Sequence, residues 1–157
     1  MTGPTSANFP GSPDVPAALS YDPVLAELVQ VVNSLRTSEV GVTLEVRGLV
    51  VSGVLISAEQ FFHLQIKALE DPAVGAAANA LAPFFQPWLE ANRADAAHYE
   101  EDESFDLPDP VHVHMRQASL LNSGAHSLTI PLWRGRLAEV SGWSIGSFGM
   151  VPPLDDQ

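Results

Sequence analysis

Several stretches of the chain carry residue types that could do chemistry. Gly142-Trp143-Ser144-Ile145-Gly146 matches the G-x-S-x-G pattern of serine hydrolases. That pattern works only on a strand, a sharp elbow and a following helix, with an aspartate and then a histidine later in the chain. Here a short Pro-containing stretch follows and no histidine lies beyond Ser144. The five letters therefore read as a strand with glycines where backbones approach closely, and no catalytic residue is assigned. His112 and His114 are two apart on an alternating stretch, so both project from one strand face. With His63, His126 or a carboxylate they could ligate a metal through imidazole nitrogen. No third ligand is fixed by spacing, so the expectation is a polar, solvated strand face and no metal or cofactor. Arg134 and Arg136 flank Gly135 and share a strand face, with Trp133 on the other. They are suited to a phosphate or to a partner's carboxylates, or else to pairing with Glu45, Glu139 or the acidic segment. The acidic segment, Asp95 to Asp109, lacks the ligand ladder of an EF-hand. It reads as a solvated loop.

The elements that must position these groups follow from local signals. Asp22-Pro23 is a helix start, and Leu25, Leu28, Val29, Val32 and Leu35 keep helical spacing to about Arg36. Val42, Leu44 and Val46 alternate with polar residues, Gly48 is a turn, and Leu49 to Ser57 is a second strand. Gly53 in its middle signals a bulge or sharp bend. Ser57 and Gln60 have capping-box spacing before a helix carrying Phe62, Ile66 and Leu69. Asp71-Pro72 repeats the start signal, and Pro83 and Pro87 should kink or split the helix that begins there. Strands are then expected from Val111 toward Leu121, from Leu128 to Val140 and from Trp143 to Phe148, with turns at Asn122-Ser123-Gly124 and Ser141-Gly142. The fold class is α+β: a strongly bent antiparallel five-stranded sheet or small Sm-like barrel. It has an N-terminal helix and a helical insertion (about 58–94, then the acidic loop) between strands 2 and 3. Residues 21–148 form one domain between a flexible Pro-rich arm (1–20) and a tail (149–157).

Composition bounds the function. The chain has 157 residues, 46% of them apolar, and 7 Lys+Arg against 19 Asp+Glu give a net charge of −12. Such a surplus argues against phosphate backbones and anionic lipid as partners. There is no cysteine, which removes thiol chemistry and Cys-ligated zinc. No signal peptide and no apolar run of membrane-spanning length occur, so cytoplasmic residence is the default. Leu81, Phe84, Phe85 and Trp88 could join copies or simply pack on the sheet.

Two blocks resemble a known family. One is Ser52-Gly53-Val54-Leu55-Ile56-Ser57 with the strand before it. The other is Val111 to Met115 followed by Trp133-Arg134-Gly135-Arg136 through Val140 to Gly142-Trp143-Ser144-Ile145-Gly146. Together they are similar to the gas vesicle accessory protein GvpU family, in which an S-G-x-x-I-S strand end and a W-R-G-[KR]-x-x-x-V-x-G-[FW]-x-[IL]-G hairpin recur. The resemblance implies a small, non-enzymatic cytoplasmic protein that associates with gas vesicles and influences their assembly or clustering; the mechanism expected for it is self-association and docking to a protein partner such as a vesicle shell protein. It brings no catalytic residues. The residues expected to meet a partner are Arg134, Arg136, Trp133, Phe84, Phe85 and Trp88. The alternative, an Sm-like RNA binder, rests on strand order and on Arg134, Arg136, Arg116 and the strand histidines.

Overall fold

The computed structural model describes residues 21–122 and 127–148. The Pro-rich arm, the tail, Ser123-Gly124 and His126 lie outside the described residues. Helix α1 (Pro23–Ser34) starts where the caps require: Asp22 Oδ1 accepts from the amides of Val24 (2.8 Å) and Leu25 (3.3 Å). Strands β1 (Val40–Val46) and β2 (Leu49–Leu55) form a hairpin with Val46 opposite Leu49. Its two-residue turn places Arg47 and Gly48 at φ 51° and 80°, the handedness that matches strand twist.

Helix α2 (Ala58–Glu70) is capped by Ser57, whose Oγ accepts from the Gln60 amide. The box does not close, because the Gln60 side chain turns to Glu39 instead. Asp71-Pro72 starts only a single 3-10 turn (Pro72–Val74), since Gly75 then takes φ 89°. A short α3 (Ala76–Asn79) and a long α4 (Ala82–Glu101) come next. Pro83 sits in the first turn of α4, where no amide is needed, and Pro87 lies inside it.

The expectation of a loop from Asp95 fails, because α4 runs on to Glu101. Four alanines between Ala91 and Ala97 are strong helix formers, Ala96 is buried and Glu100 is tied to Arg36. Propensity and anchoring outweigh charge repulsion there, and the loop begins only at Asp102.

Strands β3 (His112–Leu121), β4 (Ser127–Arg136) and β5 (Val140–Ile145) complete one antiparallel sheet in the order β4-β3-β2-β1-β5. This corrects the expected hairpin between the last two strands. A 3-10 turn at Leu137–Glu139 sends the chain across the sheet, and β5 pairs with β1 at the far edge. Leu137, 1% exposed, anchors this crossing in the core. Since β4 and β5 lie at opposite edges without pairing, the sheet is open and the Sm-like barrel is not formed.

Each sheet face has its own core. Val51, Leu55, Val113 and Met115 pack with Leu25, Val29 and Val32 of α1. Val54 and Ile56 face the other way, into Phe61, Phe62 and Ile66 of α2 and Leu89 of α4. Gly53 is the point where β3 spends one extra residue: Ser52 pairs with Ser119, but Val54 pairs with Arg116. Gln117 takes φ 51° in this bulge, and its neighbours fill the space where a side chain at position 53 would stand. A Cβ there would lie 3.0 Å from Ala118 Cα and from the carbonyl oxygens of Arg116 and Gln117.

Backbone cannot yield as a side chain can. Gly53→Ala is therefore expected to lower unfolding free energy by about 1–3 kcal/mol in urea titrations. Gly142→Ala, whose nearest new neighbour is the Glu45 side chain at 3.7 Å, should change it by less than about 0.5 kcal/mol.

Candidate functional site

Pairing of β3 with β4 puts His114 opposite Arg134 and His112 opposite Arg136. Strand alternation then sends all four side chains to the face that α2 covers. Phe61 and Phe62 close over His114, with ring centroids 4.7 and 5.8 Å away. His114 is thus 5% exposed, and the expected solvated face holds only for its neighbours. Burial first, then the nearby Arg134 and His112, push the His114 imidazole down to about 3. It is neutral at any ordinary pH.

Neutral histidine is what Arg134 needs. A guanidinium has donors only, so each imidazole must offer it a bare nitrogen. Arg134 Nε donates to His114 Nε2 and Arg134 Nη2 meets His112 Nδ1, both at 3.1 Å. These contacts put the His114 proton on Nδ1 and the His112 proton on Nε2. The guanidinium carbon also lies 5.9 Å from the Phe62 ring centroid, within cation–π range. Loss of hydration lowers the Arg134 pKa from its ordinary value. His112 is lowered too, by burial first and then by Arg134 and Arg136.

The expected pairing of these arginines with Glu45, Glu139 or the acidic segment does not occur among the described residues. Glu139 pairs with Arg47, while Glu59 takes Arg36 and Arg93, and Glu39 takes Arg116. Among the described residues, Arg134 and Arg136 have no carboxylate in salt-bridge contact. The two histidine rings are 6.4 Å apart with the guanidinium bonded to both. Among the described residues no three His, Asp or Glu side chains gather as a metal site.

The aromatic residues of α4 adjoin this cluster. Trp88 stacks on Phe62 at 6.2 Å, and Phe85 meets the same ring at 6.3 Å. Phe84 stands edge-on to Phe85 and is 67% exposed. Arg134, Phe85 and Trp88 are therefore brought together around Phe62, with Phe84 and Arg136 at the margins. Trp133 is not among them. It packs on the α1 side, where its ring lies across Gly135: a Cβ there would fall 2.1 Å from the indole Cη2.

Beside Arg134 opens a cavity of about 280 Å³, lined also by Gln30, Phe62, Trp88, Leu107 and His112. No sequence signal pointed to Gln30, or to the 107–111 segment that crosses the cavity. Both arrive through tertiary packing, with Gln30 Nε2 donating to the Leu107 carbonyl. His114 cannot take a proton near neutrality, and Ser144 sits on β5 opposite Thr43, with β1 and β2 between it and the histidines.

Linkage gives this burial a measurable sign. Unfolded His114 takes up a proton near pH 6.5 and the folded form only near 3, so the unfolded chain holds more protons between these values. Stability is then complete above about pH 6.5 and falls on acidification, by up to about 1.4 kcal/mol per pH unit for one proton. The carboxylates Glu39 and Glu59 act in the same direction, but only below their ordinary 4.5. Urea titrations between pH 7 and 5 should show the loss, and His114→Gln should reduce it to the part that His112, lowered in the same direction, still contributes.

No helix among the described residues is long and apolar enough to cross a membrane. No curated protein and no solved structure gives a match to the chain. A family model described as "Gas vesicle protein GvpU-like" matches residues 22–148, from the cap of α1 to the last described residue. The chain therefore belongs to the GvpU-like family of gas vesicle proteins.

Proposed function

We propose that the protein is a non-enzymatic cytoplasmic accessory factor of gas vesicles that associates with itself and docks onto a protein surface. Family membership supports the setting. The observation that carries the mode of action is an exposed apolar stripe. Leu81, Phe84 and Trp88, spaced i, i+3 and i+7, are 55%, 67% and 53% exposed. Phe85 supports the stripe from beneath, and Arg134, which shares a cavity with Trp88, borders it with positive charge that no described carboxylate pairs. A stripe of this kind fits an apolar protein surface with carboxylates at its rim, such as a vesicle shell protein.

Self-association has a separate basis. β4 and β5 are each paired on one side only, so each offers an open edge to a second copy. Trp133 enters through the β4 edge, which its packing over Gly135 holds in place. With a net charge of −12, copies repel at low salt and approach when the charge is screened. The acidic loop after α4 keeps the assembly solvated.

Static light scattering over a dilution series is expected to show mass rising with concentration and with salt. A monomer at every point overturns self-association. For docking, the chain is mixed with purified gas vesicles and the vesicles are floated. It should rise with them, and Leu81→Ser with Phe84→Ser should reduce the bound fraction by about tenfold. An undiminished fraction overturns the role of the stripe.

A further inference from the structure

We propose that the cavity beside Arg134 is a binding site for a small zwitterion with a flat apolar side chain, of the class of free aromatic amino acids. This goes beyond docking and does not rest on it. A guanidinium has five N–H groups, and the two histidines take one on Nε and one on Nη2. The outer edge, Nη1 with the second Nη2 hydrogen, is the fork that grips a carboxylate through two parallel bonds. No carboxylate of the described residues occupies it, although Arg36, Arg47, Arg93 and Arg116 are all paired. With 19 acidic residues against 7 basic ones, shortage of carboxylates is not the reason. The fork is held in place by partners that bring no negative charge.

The rest of the lining selects among anions. Asp95 and Asp109 face the same cavity and have no cation partner among the described residues. These groups disfavour a phosphate dianion and call for N–H donors with positive charge, which an ammonium group supplies. Trp88, stacked on Phe62 and half exposed, gives a flat wall that suits an aromatic ring. The volume, about 280 Å³, suits an amino acid and is small for a nucleotide.

Isothermal titration of the whole chain with L-phenylalanine, N-acetyl-L-phenylalanine and L-phenylalaninamide tests both charges. L-Phenylalanine should saturate one site per chain, and each analogue should bind at least about tenfold more weakly. Arg134→Gln should weaken L-phenylalanine by at least about tenfold, and Lys67→Gln, at an exposed position of α2 outside the cavity, should leave it unchanged. If Arg134→Gln lowers the thermal midpoint, Arg134→Lys serves instead, since it keeps the charge and loses the fork; weaker binding is again expected. No saturable binding of L-phenylalanine, equal binding of either analogue, or full affinity in the Arg134 variant overturns the proposal. None of these results touches the flotation assay, whose variants lie outside the cavity.

Discussion

Burial of His114 under α2 is the constraint from which the site follows. A charged imidazole in that position would face Phe61 and Phe62 with no carboxylate to offset its desolvation, so the ring stays neutral. Neutrality leaves Nε2 bare, and a bare nitrogen can be satisfied only by a donor. Arg134, directly opposite in the β3–β4 ladder, supplies it and is thereby drawn across Phe62. Arg134 also lines the cavity. A neutral acceptor thus fixes a cation without cancelling it, which a glutamate at position 114 would not do.

Local chemistry was legible in the sequence. Asp22-Pro23, Ser57, Gly48 and Gly53 act through their own backbone neighbourhoods, and each does in the structure what its residue type dictates. Connections between distant elements were not legible. Ser141-Gly142 reads as a hairpin turn, yet these residues lie inside β5, because the reversal of direction is made by the 3-10 turn at Leu137–Glu139. Periodicity cannot say which sheet edge a strand joins. Nor could composition see that Asp95 to Glu101 would be helical, since the alanines and the Glu100–Arg36 pair act against the charge run. In the site, the shared face of Arg134 and Arg136 was readable from alternation. The meeting of Phe62, Trp88, Gln30 and the 107–111 segment depends on helix packing and left no mark in spacing.

The residues of the two blocks have physical roles in the structure. In Ser52-Gly53-Val54-Leu55-Ile56-Ser57, Ser52 Oγ bonds Thr43 and accepts the Phe148 amide, Gly53 admits the bulge, Ile56 fills the α2 core and Ser57 caps α2. In Trp133-Arg134-Gly135, the indole needs the space a Cβ at 135 would take, so tryptophan and glycine two apart form one packing unit. Leu137 pins the turn, and Gly142 to Ile145 then run along β1. The second block therefore ties one sheet edge to the other.

The two edges that this block joins are not equally open. β5 is six residues long and β4 ten, but Pro131 interrupts β4 with a residue that has no amide hydrogen. A proline in an edge strand blunts pairing on both sides of itself. The continuous part of β4 is Leu132 to Arg136, the segment held by the indole and the histidines, and its length is close to that of β5. An antiparallel or parallel addition of β5 from a second copy would match it without passing Pro131. Because the two edges differ, such a contact joins unlike surfaces, and each added copy leaves one edge of each kind free. If copies added in this way, growth would end only where the rotation between them closes a ring or where the −12 charge carried by each chain makes the next addition unfavourable.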